Sequence, residues 1–395
     1  MLWTSTRMRL AAAALGVGLL AAVSARAAAQ SVDEIDAKVR EGIERGIYPA
    51  AVVVIGRGDS ILYARGYGHF TWNPASAVPN PDSTLWDIAS ISKVLGTASA
   101  VMRLVDAGRI DLDAPVARYL PRFSGGRKEQ VTVRMLLDHT SGLRSYAPLF
   151  KRARTRDGAI DQLYAEPLVR EPGAEPVYSD LNALLLGVLV ETVTHASLDG
   201  FVTREVFEPL GLEHTTYRPP AASHRRVVPS AVWRGQPVQG QVNDPNAAVF
   251  GGVAGNAGIF TTGMDLARYA QVWLRGGSGL NGQWVSPTTL KRFLARGDKA
   301  GPRLLGWDTP EQNLPEPSVF GRLISDAAYG HTGFTGTELW IEPSRDLFLV
   351  FLTNRTFDPR VGNSMHRLRD VRADLSDAAI RLVPHACQQE LVAGC

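Results

Sequence analysis

Ser90 and Lys93 stand three residues apart in the run Trp86-Asp87-Ile88-Ala89-Ser90-Ile91-Ser92-Lys93. A serine hydroxyl near neutral pH is a poor nucleophile until a positioned base takes its proton. An amine becomes such a base when burial or neighbouring charge moves its pKa. Alone, the Ser-x-x-Lys spacing equally fits a capping serine beside an exposed lysine. Two downstream groups change its weight. Tyr178-Ser179-Asp180 brings a phenol and a carboxylate, and His331-Thr332-Gly333 leads into Phe334. Each has a plainer reading: Tyr178 as a buried aromatic, Asp180 as a helix cap, His331 as a strand-edge histidine. Together, in this order, they point to nucleophilic catalysis. Ser141 in His139-Thr140-Ser141-Gly142 reads as a turn rather than a nucleophile.

The surrounding pattern says how such groups are placed. Val94, Leu95, Ala98, Val101, Met102, Leu104 and Val105 recur at three- and four-residue steps, and Gly108 supplies a stop. Ser90 therefore opens a helix and Lys93 lies one turn on, on the same face. Residues 32–45, 181–192, 265–274 and about 365–382 read as further helices. Residues 51–55 and 61–64 are β-rich runs around Gly58-Asp59. Residues 339–341 and 347–352 form a second such pair around Pro343-Ser344-Arg345-Asp346. The stretch Gly251 to Gly258 lacks the spacing of a dinucleotide fingerprint and reads as a tight loop passing close to a neighbour. Strands at both ends enclosing a helical middle predict a discontinuous sheet domain, residues 30–90 and 320–386, with a helical domain, 91–319, inserted.

With these motifs in hand, the chain resembles the serine β-lactamase and penicillin-binding-protein family, nearest to class C β-lactamases, D-alanyl-D-alanine carboxypeptidases and related esterases. Leu136 to Leu143, Pro172-Gly173 and Gly330-His331-Thr332-Gly333 extend the match over roughly residues 32–384. The resemblance implies an α/β (α+β) fold, an antiparallel sheet flanked by helices beside a mostly helical domain, with the site in the cleft between them. It implies that Ser90 carries an acyl group while Lys93 and Tyr178 share the proton. Asp180 would line the site, and His331, Thr332 and Gly333 would dock substrate. The backbone amides of Ser90 and Phe334 would form the oxyanion hole.

Destination and charge narrow the partners. Arg7 and Arg9, the apolar run 10–23 and Ala27-Ala28-Ala29 compose an export signal over residues 1–29, predicting a periplasmic or secreted protein. That segment holds three of the 42 basic residues and no acid, leaving 39 basic against 39 acidic residues. The balance offers no net attraction for nucleic acid or an anionic membrane. Lys151 to Arg156 is a solvated cluster. The two cysteines, Cys387 and Cys395, lie in the tail 387–395, where a disulfide and two free thiols are equally open. No metal or cofactor motif is present, so none is expected.

Two departures from the family pattern bear on chemistry. Asp180 stands where asparagine is common, and a carboxylate beside Lys93 favours the ammonium, shifting the base role towards Tyr178. His331 stands where β-lactamases commonly have lysine. Histidine holds an anion only when protonated, around its usual pKa of about 6.5, which predicts tighter binding of anionic substrates in mild acid. The expected activity is hydrolysis of D-amino-acid, cell-wall-type peptides or small esters through an acyl-enzyme on Ser90. β-Lactam hydrolysis, or a penicillin- or peptide-binding role with negligible turnover, are the alternatives.

Overall fold

Strands from the two ends of the chain meet in one antiparallel sheet. In chain order these are β1 (Ala50–Arg57), β2 (Ser60–Gly68), β3 (Tyr329–Thr332), β4 (Glu338–Glu342) and β5 (Leu347–Thr353), arranged across the sheet as β3-β4-β5-β1-β2. β1 pairs with β5 from Ala51 opposite Thr353 to Arg57 opposite Leu347. The computed structural model describes residues 30–297, 301, 303–310 and 318–383. The segment read as an export signal and both tail cysteines fall outside these residues.

The sheet has no wet face at its centre, which explains the unbroken Val-Ile-Leu character of β1 and β5. Ala50, Val52 and Val54 point into one hydrophobic cluster, and Ala51, Val53 and Ile55 into another. The second cluster is closed by the N-terminal helix, α1 (residues 30–44), and the C-terminal helix, which contribute Ile35, Val39, Leu368, Val371 and Leu375. The first cluster continues into the helical part of the molecule. It includes α2 (Ser99–Asp106), α3 (Val133–Leu137), α4 (Asp180–Thr194) and α5 (Gly263–Leu274). The C-terminal helix is α6 (Ser364–Leu382).

α5 departs from the simple insertion expected over 91–319. It packs directly on β1, β4 and β5, and a Cβ at Gly263 would stand 2.8 Å from Val52 Cγ1. Glycine at this position lets the helix start lie flat on the strand. The start of the Ser90 helix also differs from the regular helix expected. A tight turn, Ala89–Ile91, runs into a wide coil, Lys93–Ala98, before α2 becomes regular. Val94 O sets the wide turn, because it accepts from the Ser99 N–H five residues on, from Ser99 Oγ at 2.9 Å and from Tyr269 OH at 2.9 Å. Wide turns of this kind cluster at functional sites.

Candidate active site

Ser90 is presented by a backbone that alanine rarely adopts. Ala89 has φ 47°, in the left-handed region, and Asp87 holds it there by accepting from Ala89 N at 2.9 Å. Asp87 also accepts from Asn243 N at 2.7 Å, and its burial pushes the carboxyl up to about 6. Thr335 Oγ1 donates to Asp87 O at 2.7 Å, and Thr337 Oγ1 to Ile88 O at 3.0 Å. The turn that bears Ser90 is thereby fixed to the chain that follows β3. The approach leaves no room at Gly333, where a Cβ would lie 2.1 Å from Thr337 Oγ1 and 2.5 Å from Ile88 O.

Lys93 gathers the site. Its Nζ donates to Ser90 Oγ at 2.9 Å and to Asn256 O at 3.0 Å, and lies 2.7 Å from Asp180 Oδ1. Burial opposes its charge, but the Asp180 carboxylate and the nearby Tyr178 outweigh that, holding the ammonium above its ordinary value. The Asn256 carbonyl comes from the glycine-rich loop, which does pass close to a neighbour. A Cβ at Gly255 would meet Ala183 O of α4 at 1.9 Å, and Gly255 O accepts from Thr97 Oγ1. Ser141 is part of the scaffold, its hydroxyl donating to Asn182 Oδ1 at 2.6 Å.

Tyr178 and Asp180 reach the site because the chain before α4 is laced to residues 139–145. Val177 N donates to His139 O, Ser179 N to His139 Nδ1, and Asp180 N to Ser145 O. The Tyr178 hydroxyl is buried with no hydrogen-bond partner. Burial raises its pKa, against the pull of the Lys93 ammonium 5.1 Å from the ring centre. His139 packs its ring 4.9 Å away and accepts at Nδ1 from both Ser179 N and Asn182 Nδ2, so its proton sits on Nε2.

The opposite wall is β3 and the turn after it. Ser90, Tyr178, Asp180, His331, Thr332, Gly333 and Phe334 all line one cavity of about 640 Å³; Lys93 lies beneath its floor. His331 is 2 % exposed. Its Nδ1 faces Thr332 O at 2.8 Å, and a carbonyl only accepts, so Nδ1 carries the proton and the buried Nε2 is a bare acceptor without a partner. Burial, reinforced by the charges of Lys93 and Arg303, pushes His331 down to about 3. The mild-acid anion switch expected of this histidine is therefore corrected: the imidazole stays neutral. The arginine on this side of the cavity is Arg303. It lines the cavity 5.0 Å over the Tyr178 ring, pairs with Asp308 at 3.2 Å, and keeps Nη1 buried without a hydrogen bond.

A family model for beta-lactamase matches residues 35–374. The chain belongs to the beta-lactamase family. It is 33 % identical over 361 residues to the N-acetylmuramyl-L-alanine amidase of Bacillus subtilis (strain 168), covering 82 % of this chain and 81 % of that protein. It is 28 % identical over 364 residues to the Escherichia coli (strain K12) protein named "Putative D-alanyl-D-alanine carboxypeptidase", covering 84 % and 83 %. Among solved structures, a class C beta-lactamase superposes with a TM-score of 0.70 at 20 % identity, over 88 % of this chain and 96 % of that one. The hydrolase EstCE1, with promiscuous acyltransferase activity, superposes with a TM-score of 0.66 at 20 % identity, over 88 % and 99 %. The mixed fold of helices and antiparallel sheet and the assignment as a serine hydrolase of this family both follow.

Within this beta-lactamase-family site, sequence reasoning missed Asp87, His139, Asn256 and Arg303 as participants. His139 carried a signal, since it sits inside the Leu136 to Leu143 motif. Asn256 contributes a backbone carbonyl, which residue type does not reveal. Among the described residues, no group of three or more His, Cys, Asp or Glu could hold a metal ion.

Proposed function

We propose that this chain is an exported amidase or carboxypeptidase acting on cell-wall-type peptides through an acyl-enzyme on Ser90. The observation that carries the reading is the Lys93 Nζ at 2.9 Å from Ser90 Oγ, on a cavity whose far wall is β3, the last strand of the sheet. The names of its amidase and carboxypeptidase relatives support the substrate class.

Ser90 Oγ adds to the substrate carbonyl carbon while its proton passes into the Lys93–Tyr178 pair. The oxyanion is received by the backbone amides of Ser90 and Phe334. The C–N bond then breaks and the amine leaves with the proton returned by the pair. Water adds to the ester, the pair takes its proton, and release of the acid restores Ser90. At rest Lys93 is cationic and Tyr178 is a neutral phenol, so the cluster must lose one proton before it acts as a base. Turnover accordingly rises with pH, with an apparent pKa belonging to the cluster as a whole. Arg303 and Thr332, which line the same cavity, would hold a substrate carboxylate.

The test is incubation of parent and Ser90→Ala with a muropeptide, p-nitrophenyl butyrate and a fluorescent penicillin, followed by intact mass. Peptide and ester turnover by the parent alone, with a transient acyl adduct, is expected. A lasting penicillin label without turnover of either substrate would show a binding protein, and fast β-lactam loss a lactamase.

A further inference from the structure

Behind the His331–Phe334 wall three ionisable side chains are buried together, none of them lines the cavity, and burial pushes the Glu338 carboxyl up to about 8. Glu338 is 0 % exposed, Arg372 of α6 is 3 % and Arg355, just beyond β5, is 6 %. Arg372 Nη2 donates to Thr337 O at 2.7 Å and to Gly333 O at 3.3 Å. Arg355 donates to Phe334 O from Nε at 3.1 Å and again from Nη2. Its Nη1 reaches Ser364 Oγ at 3.0 Å, and its guanidinium lies 4.7 Å over the Phe334 ring. The carboxyl group of Glu338 comes only within 4.0 Å of Arg372 Nε, and neither its oxygens nor that Nε makes a hydrogen bond. The forked arginine–carboxylate pairing available here is not made. Both guanidiniums are turned to the main chain.

The carbonyl of Gly333 and the N–H of Phe334 belong to one peptide unit. A cationic donor on that oxygen polarises the unit and makes its N–H a stronger donor on the other side. Arg355, one residue along, fixes the next carbonyl and with it the tilt of the same N–H. We propose that Arg372 and Arg355 are positioning residues that strengthen and aim the Phe334 N–H towards the substrate oxyanion without touching the substrate. This rests on the acyl-enzyme reading given above.

The experiment compares parent, Arg372→Gln, Arg372→Lys and Arg355→Lys with p-nitrophenyl butyrate, and records the infrared carbonyl band of the trapped acyl-enzyme. Arg372→Gln is expected to lower kcat by about tenfold with KM nearly unchanged, less than the loss of a whole oxyanion donor. Its carbonyl band should move to higher wavenumber, the mark of a weaker hydrogen bond on the reacting oxygen. Arg372→Lys, which restores a cationic donor, should recover part of both. If Arg372→Gln does not fold, Arg355→Lys carries the same two readouts with a smaller band shift. Folded variants whose kcat and carbonyl band match the parent overturn the inference while leaving the nucleophile intact. Turnover by Ser90→Ala overturns the reading of the site instead.

Discussion

The two walls of the cavity handle charge in opposite ways. On the helical wall the charges face the chemistry: Lys93 lies against Ser90 Oγ and its balancing Asp180 lines the same opening. On the strand wall the surface offered to the cavity is main chain and a neutral imidazole, while the cations Arg355 and Arg372 sit behind it. In the proposed mechanism a proton moves on the first wall, which calls for titratable side chains within reach of the hydroxyl. On the second, it calls for donors to a negative oxygen that do not titrate, and backbone amides serve without changing charge. The exception is the ion pair of Arg303 and Asp308, which lines the cavity beside β3, with Arg303 over the Tyr178 ring.

Replacing Lys93 by Met breaks the first wall most severely. Ester turnover is expected to fall by about a thousandfold or more, because the hydroxyl loses both its base and its orienting contact; residual kcat near that of the parent would refute the assignment. Arg303→Gln tests the exception on the second wall. KM for carboxylate-bearing peptides should rise by about tenfold or more while uncharged esters are little affected. In the parent that KM should stay flat from neutrality into mild acid, since His331 remains neutral until near its value of about 3. Asp180→Asn sharpens the coupling on the first wall. Without the carboxylate that raises it, Lys93 loses its proton more readily, so the rising limb of kcat/KM moves to lower pH. The smallest effect falls on the joint between the walls. Asp87 is a carboxyl raised to about 6, so its contribution to stability is fully present below its unfolded value of about 3.8 and is lost as pH climbs through about 6. Asp87→Asn removes this term, and the Tm advantage of parent over variant should be a few degrees larger in acid than at neutral pH.

Residue type and spacing carried Ser90, Lys93, Tyr178 and the two hairpins, because each rests on a local pattern that survives folding. The state of His331 was not legible, since its type gives an ordinary pKa and only burial beside two cations says otherwise. Ala89 offered no sign of its left-handed backbone, which a glycine would have announced. Arg303 reaches the site through a loop whose path no periodicity records. The wide turn at Lys93–Ala98 depends on Tyr269, far along the chain, reaching Val94 O. The packing of α5 on the sheet was hidden for the same reason, being a contact between distant segments.

The place of β5 has a consequence for the order of assembly. It lies between β4 and β1, so the first strand of the sheet finds its central neighbour about 300 positions later, at Thr353 opposite Ala51. A chain emerging from its amino end cannot close the cleft until that last strand slots in, and pairings this remote in sequence are slow to form. Until then the Ser90 turn stands without the strand that walls its cavity, and the pocket of the newborn polypeptide is unfinished.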